Sequence, residues 1–149
     1  MLVPMRCSSS PFFLMRRGIR TARTCPIPPP ILPDNLYKLA LVVRTDLGMS
    51  RGKIASQAAH GAVLAVCNSS AAPCLKAWKK CGQPKVVLRV TDETLLLNIA
   101  TAARTAGIPI SLVYDAGHTQ IDAGTLTVAA VGPALATDVD KVTGGLKLL

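Results

Sequence analysis

Residues 38–44 (KLALVVR) form an unbroken apolar run of strand length, rich in Val and Leu, which predicts a strand buried on both faces. After a turn at Asp46–Gly48, Ser50 stands as the N-cap of a helix over about 51–67. Ile54, Ala55, Ala58, Ala62 and Val66 of that helix are suited to lying against a sheet. Pro73 opens a short helix through Lys80, stopped by Gly82, and Lys85–Val90 (KVVLRV) is the next strand. Asp92 and Glu93 start a third helix with Leu95, Leu96, Ile99 and Ala103 on its apolar face and Gly107 at its end. Pro109–Tyr114 is a third strand and Thr125–Val131 a fourth. The loop DAGHTQIDAG lies between them, and a last helix follows over about 134–143. Strands alternating with helices predict an α/β sandwich with a mostly parallel sheet covered on both faces.

Composition adds a division of the chain. Of 149 residues, 17 are Lys or Arg and 8 are Asp or Glu, a formal charge of +9, and half the residues are apolar. These values fit one folded domain and exclude a disordered chain. Residues 1–33 hold Arg6, Arg16, Arg17, Arg20 and Arg23, three consecutive serines, no acid, and a proline-rich exit. That is the composition of an organelle transit peptide and linker, with 34–149 as the folded domain. A basic tail that is never removed remains the alternative. No run of about 18 apolar residues predicts a membrane span.

The five cysteines and two histidines show no CxxC or HxxxH pairing, so no metal site is expected. Beyond the leader stand Cys67, Cys74 and Cys81, an odd number, read as reduced thiols suited to a mitochondrial matrix or the cytosol. Aromatic residues in 34–149 are few (Tyr37, Trp78 and Tyr114), which argues against stacking several bases. A nucleic acid would be gripped through its backbone.

Two places can carry chemistry. The segment RTDLGMSRGK, residues 44–53, joins a strand to a helix start and sets Arg51 and Lys53 beside free backbone N–H groups, a site for an anion. It is not a nucleotide-binding P-loop: Gly48 and Gly52 are one residue too close, and Ile54 replaces the magnesium-binding hydroxyl. Lys53, Gln57 and His60 then fall within about 60° of one another on a helix, either a solvated face or one wall of a site. The stripe begins at the carboxyl end of a strand, where open α/β sheets place ligands. Asp115 follows another strand end, either as a turn former or as a group that orients or deprotonates water opposite Lys53. No Ser-His-Asp arrangement emerges, and Cys81 reads as a packed or exposed thiol.

The succession LALVVRTDLGMSRGKIASQAAHGAV, CGQPKVVLRV, SLVYDAGHTQIDAGTLTVAAVGP and DKVTGGLKL resembles the type-two peptidyl-tRNA hydrolases of archaea and eukaryotes, in order over residues 37–149. The resemblance implies a three-layer α/β/α sandwich on a small four-stranded mixed sheet. It also implies hydrolysis of the ester between a peptide and tRNA, with peptidyl-tRNA as partner and no cofactor. Lys53, Asp115 and Thr127 match the family's catalytic positions. Arg51, Gln57, His60, Gln83, Lys85, Thr119 and Gln120 are the expected substrate-binding residues. Family members often crystallise as dimers, which leaves a homodimer open. The chain departs from the family pattern at His118, where Arg is common, and at Asp122, Ala123 and Gly145, positions facing the tRNA rather than the ester. A tRNA-binding or cell-death-related adaptor of the same fold is the alternative function, and cytoplasm the alternative location.

Overall fold

A computed structural model describes residues 36–69, 73–117 and 121–149. Strand β1 (Tyr37–Arg44) leads through a turn to α1 (Arg51–Asn68), α2 (Pro73–Lys80) and β2 (Lys85–Val90). Helix α3 (Glu93–Thr105), β3 (Ile110–Tyr114), β4 (Leu126–Leu135), α4 (Ala136–Thr143) and β5 (Lys147–Leu148) complete the order. The helix starts are chemically marked: the Ser50 side chain accepts from Lys53 N–H at the head of α1, and Asp92 caps α3 by accepting from Leu95 N–H at 2.8 Å.

The sheet runs β3-β4-β1-β2-β5. Only β1 and β2 pair in parallel; β1 with β4, β4 with β3 and β2 with β5 are antiparallel. The sheet is therefore mixed, as the resemblance implies, and not mostly parallel, as strand-helix alternation predicts. It has five strands rather than four. The fifth, two residues long on the outer edge of β2, is too short for any hydrophobic period to announce it.

Alternate residues of β1 divide the core. Ala40 and Val42 join Leu88, Val90, Leu96, Ala103 and Val139 beneath α3 and α4. Leu39, Leu41 and Val43 join Ala65, Leu75, Trp78 and Val128 beneath α1 and α2. This is the three-layer sandwich, each apolar face of the sheet closed by a pair of helices.

Strand β4 runs further than its apolar pattern predicts, and the last helix begins at Ala136 rather than near Ala134. Pairing of Lys38 with Ala134 and Tyr37 with Leu135 carries the ladder past Gly132 and Pro133, with a shift in register between Lys38 and Ala40. Gly132 makes the detour possible. Its φ is +103°, and a Cβ there would lie 2.8 Å from the Lys38 carbonyl oxygen.

Because β1 runs antiparallel to β4, and β4 antiparallel to β3, the strands β1, β2 and β3 all end on the same edge of the sheet. Arg44 ties that edge together. Its nearly buried guanidinium grips Asp46 through two bonds of 2.7 and 3.1 Å, donates to Glu93 Oε2 at 2.6 Å, and reaches the Leu126 carbonyl at 3.0 Å. The turn after β1, the start of α3 and the start of β4 are thus held by one side chain.

Candidate active site

Three local features bring the functional side chains to this edge. The first is the close seating of α1. Gly61, one face-turn below Gln57, is buried against the sheet, and a Cβ there would meet Val128 Cγ1 at 3.2 Å and Leu41 Cδ2 at 3.3 Å. The missing side chain lets the amino-terminal half of α1 approach β3 and β4.

The second is a bulge in β4. Val113 pairs with Val128 but Tyr114 pairs with Leu126, so Thr127 is one extra residue opposite β3. Strict alternation would turn Thr127 and Val128 to opposite faces. The bulge lets both address α1: Val128 packs under Gly61, and the Thr127 hydroxyl reaches Gln57.

The third is the turn after β3. Asp115 donates its N–H to the Thr125 carbonyl at 2.9 Å, its carbonyl accepts from Gly124 N–H at 2.7 Å, and its Oδ1 accepts from Gly117 N–H at 2.7 Å. The turn-forming and site-forming readings of Asp115 are therefore both realised, by different atoms of one residue.

These features assemble a connected polar chain. The Lys53 ammonium forms an ion pair with Asp115 Oδ2, and Gln57 Nε2 donates to the same oxygen at 2.7 Å. Thr127 Oγ1 lies 2.6 Å from Gln57 Oε1 and 3.2 Å from the Val113 carbonyl. Gln57 and Asp115 are each only 4% exposed and Thr127 is fully buried. The Lys53 side chain keeps 12% exposure. The Asp115 carboxylate, ion-paired with Lys53, only accepts, so the Gln57 amide turns its NH2 toward it and its Oε1 toward Thr127, whose hydroxyl then donates. Every buried polar side-chain atom among the described residues has a partner, the condition under which such a network gives one geometry rather than several.

The chain borders a cleft of about 390 Å³, walled by Lys53, Ser56, Gln57 and His60 from α1 and by Val113 to Ala116 from the end of β3. The stripe Lys53, Gln57, His60 is thus neither a solvated face nor wholly interior: its first two members are drawn in and His60 stays exposed at the rim. Arg51 is exposed on the first turn of α1, outside the cleft lining. Gln83 and Lys85 are not brought to this cleft. They lie at the amino end of β2, beside an apolar groove over Trp78, where the Lys85 ammonium sits 4.8 Å from the Trp78 ring centroid and donates to the Gln83 carbonyl. Thr119 and Gln120, with His118, lie outside the described residues.

Sequence reasoning passed over Ser56, which a helical count of three from Lys53 would have found, and Arg44, whose long-range partners no local pattern shows. The Arg44 hydrogen bond holds the Asp46 carboxyl below the usual carboxylate range, against an opposing effect of burial. The same bond, leading over desolvation, raises the Arg44 guanidinium.

A family model described as Peptidyl-tRNA hydrolase PTH2 matches residues 37–149. The chain is 48% identical over 114 residues to "Peptidyl-tRNA hydrolase 2, mitochondrial" of Mus musculus, covering 75% of this chain and 63% of that protein. It is 51% identical over 118 residues to "Peptidyl-tRNA hydrolase" of Aeropyrum pernix, covering 75% of this chain and 95% of that one. It is 42% identical over 114 residues to "Peptidyl-tRNA hydrolase" of Methanocaldococcus jannaschii, covering 75% and 99%. The match thus spans less than two thirds of the mouse relative and nearly all of the archaeal ones.

Proposed function

Since the chain belongs to the PTH2 family of peptidyl-tRNA hydrolases, we propose that it cleaves the ester linking a peptide, or an N-blocked aminoacyl group, to the terminal ribose of tRNA. The observation that carries this reading is the Lys53–Asp115–Gln57–Thr127 chain at the border of an open cleft. It places a cation and a carboxylate side by side, with the carboxylate held from behind.

In the proposed reaction a water held by Asp115 attacks the ester carbonyl carbon, and the carboxylate takes up the proton it sheds. Negative charge gathers on the carbonyl oxygen, where the Lys53 ammonium stabilises it. Collapse breaks the carbon–oxygen bond to the ribose, and the departing oxygen takes the proton held on Asp115, which restores the carboxylate. The products are a peptide carboxylate and a tRNA with a free terminal hydroxyl. Thr127, fully buried, acts through Gln57 rather than on substrate: its hydroxyl orients the amide, and the amide orients Asp115. His60 at the rim is in place to contact the substrate.

The test is release of free tRNA from an N-acetylaminoacyl-tRNA by the full chain. Steady turnover is the expected result. Binding of tRNA with the ester intact would overturn the hydrolase reading in favour of an adaptor.

We also propose that residues 1–33 direct the chain to mitochondria, with 34–149 as the working domain. The arginine-rich, acid-free composition supports this, as do the relatives of mouse, cattle and human whose names carry "mitochondrial".

A further inference from the structure

A second cleft, of about 520 Å³, opens on the same edge of the sheet, two strands beyond β4. Thr45 and Thr91, the residues that follow β1 and β2, line it together with Leu95, Leu146, Arg89 and Lys147. Arg89 and Lys147 are register partners across the β2–β5 ladder, both exposed. Like charges placed directly opposite on neighbouring strands repel and cost stability. An anion between them removes that cost.

Among the described residues the acids do not supply one. Asp140 pairs with Lys38, Asp46 and Glu93 with Arg44, Asp115 with Lys53, and Asp138 with Lys141. Asp92 is the cap of α3. Among the described residues no carboxylate comes within salt-bridge distance of Arg89 or Lys147, while Asp46, Glu93, Asp115, Asp138 and Asp140 are each paired with another cation. The pair suits phosphate through its two full positive charges; the threonine hydroxyls only line the cleft, Thr45 donating to the Val90 carbonyl at 3.0 Å and Thr91 to Asp92 Oδ2 at 3.3 Å.

We infer that Arg89 and Lys147 form a phosphodiester clamp for the tRNA whose ester lies at Lys53 and Asp115, an inference that rests on the hydrolase reading. Strands are about 4.8 Å apart, so β2 stands roughly 14 Å from β3 across the sheet edge. The clamp therefore takes backbone near the terminal nucleotide and not the reacting group. It contributes to affinity for the whole tRNA and leaves the chemical step alone.

The experiment compares the full chain with the double variant Arg89→Gln/Lys147→Gln and the charge-preserving Arg89→Lys/Lys147→Arg. Two readouts are taken. The first is binding of deacylated tRNA across a salt series, which does not depend on catalysis. The second is kcat and KM on N-acetylaminoacyl-tRNA and on the same aminoacyl ester of adenosine alone, which has no backbone to clamp.

Removing one cation from a phosphate lowers the slope of log affinity against log salt by about 0.7 to 0.9, so the neutral double variant is expected to lose between about one and two units of slope. KM for the full tRNA rises, kcat holds, hydrolysis of the adenosine ester is unchanged, and the charge-preserving variant behaves as the parent does. An unchanged salt slope, or an equal loss on both substrates, overturns the clamp. So does binding of inorganic phosphate that the neutral variant weakens while tRNA binding stays as it was, since that marks a site for free phosphate. Should the parent chain bind tRNA but leave every ester intact, the hydrolase reading fails, and the salt slopes still decide the clamp.

Discussion

The hydroxyl of Thr127 lies 2.6 Å from Oε1 of Gln57, a contact between β4 and α1 that a single extra residue in β4 makes possible. In the proposed reaction it gives a buried threonine a role in the site without touching substrate. Replacement by Val keeps the shape and removes the donor, leaving Gln57 Oε1 without its partner. A buried acceptor so deprived costs about 1–3 kcal/mol. Thr127→Val is therefore expected to destabilise the fold by about that much and, by releasing the amide that holds Asp115, to lower kcat by roughly tenfold or more with KM little changed, while Thr127→Ser restores most of both. A fall in melting temperature with kcat intact would assign the hydroxyl to folding alone.

Gly61 sets the height of α1 above the sheet. Adding Val there drives methyl groups into Val128 and Leu41, which already stand 3.2 and 3.3 Å from a bare Cβ. Overpacking of this kind typically costs about 1–3 kcal/mol, a fall of roughly 4 to 20 °C in melting temperature for a domain of this size. Activity measured well below the transition should fall too, because lifting α1 draws Lys53 and Gln57 away from Asp115. Full activity in Gly61→Val at unchanged melting temperature would show that the close approach is not required.

The Arg44–Asp46 pair predicts a pH dependence. The Asp46 carboxyl is held below its unfolded value by the Arg44 hydrogen bond, so its contribution is complete above about pH 4 and is lost as pH falls through the lowered folded value. Asp46→Asn should be less stable than the parent at pH 7, and the gap should narrow on acidification toward pH 3. A gap that stays constant from pH 7 to pH 3 would remove the ion pair as its cause.

For the leader, a full chain tagged at its carboxyl end should enter mitochondria and appear there shortened by about the length of 1–33, and Arg→Gln changes at Arg16, Arg17, Arg20 and Arg23 should block entry. A full-length, wholly cytosolic product in both cases would contradict the transit reading.

Much of the fold was legible because its elements carry local signals. Ser50 and Asp92 mark two helix starts, and the apolar run after Tyr37 marks a central strand. Strand direction was not legible from alternation alone, since antiparallel neighbours such as β1 and β4 lie far apart in sequence. Strand β5 is too short to show a period, and the bulge at Thr127 leaves no trace in hydropathy. Lys53 and Asp115 stood out as charges at strand and helix ends. That Gln57 bridges them to Thr127 depends on how closely α1 is seated, a distance that packing sets through Gly61 and the side chains beneath it.

The most direct measurement is single-turnover hydrolysis of N-acetylaminoacyl-tRNA at saturating enzyme by the parent chain, Asp115→Asn and Lys53→Met. If the carboxylate takes the proton of the attacking water and the ammonium stabilises the oxyanion, each variant slows the chemical step by at least about 100-fold, with tRNA still bound and the fold intact by circular dichroism. A loss of less than about tenfold in either variant would contradict the role assigned to that residue.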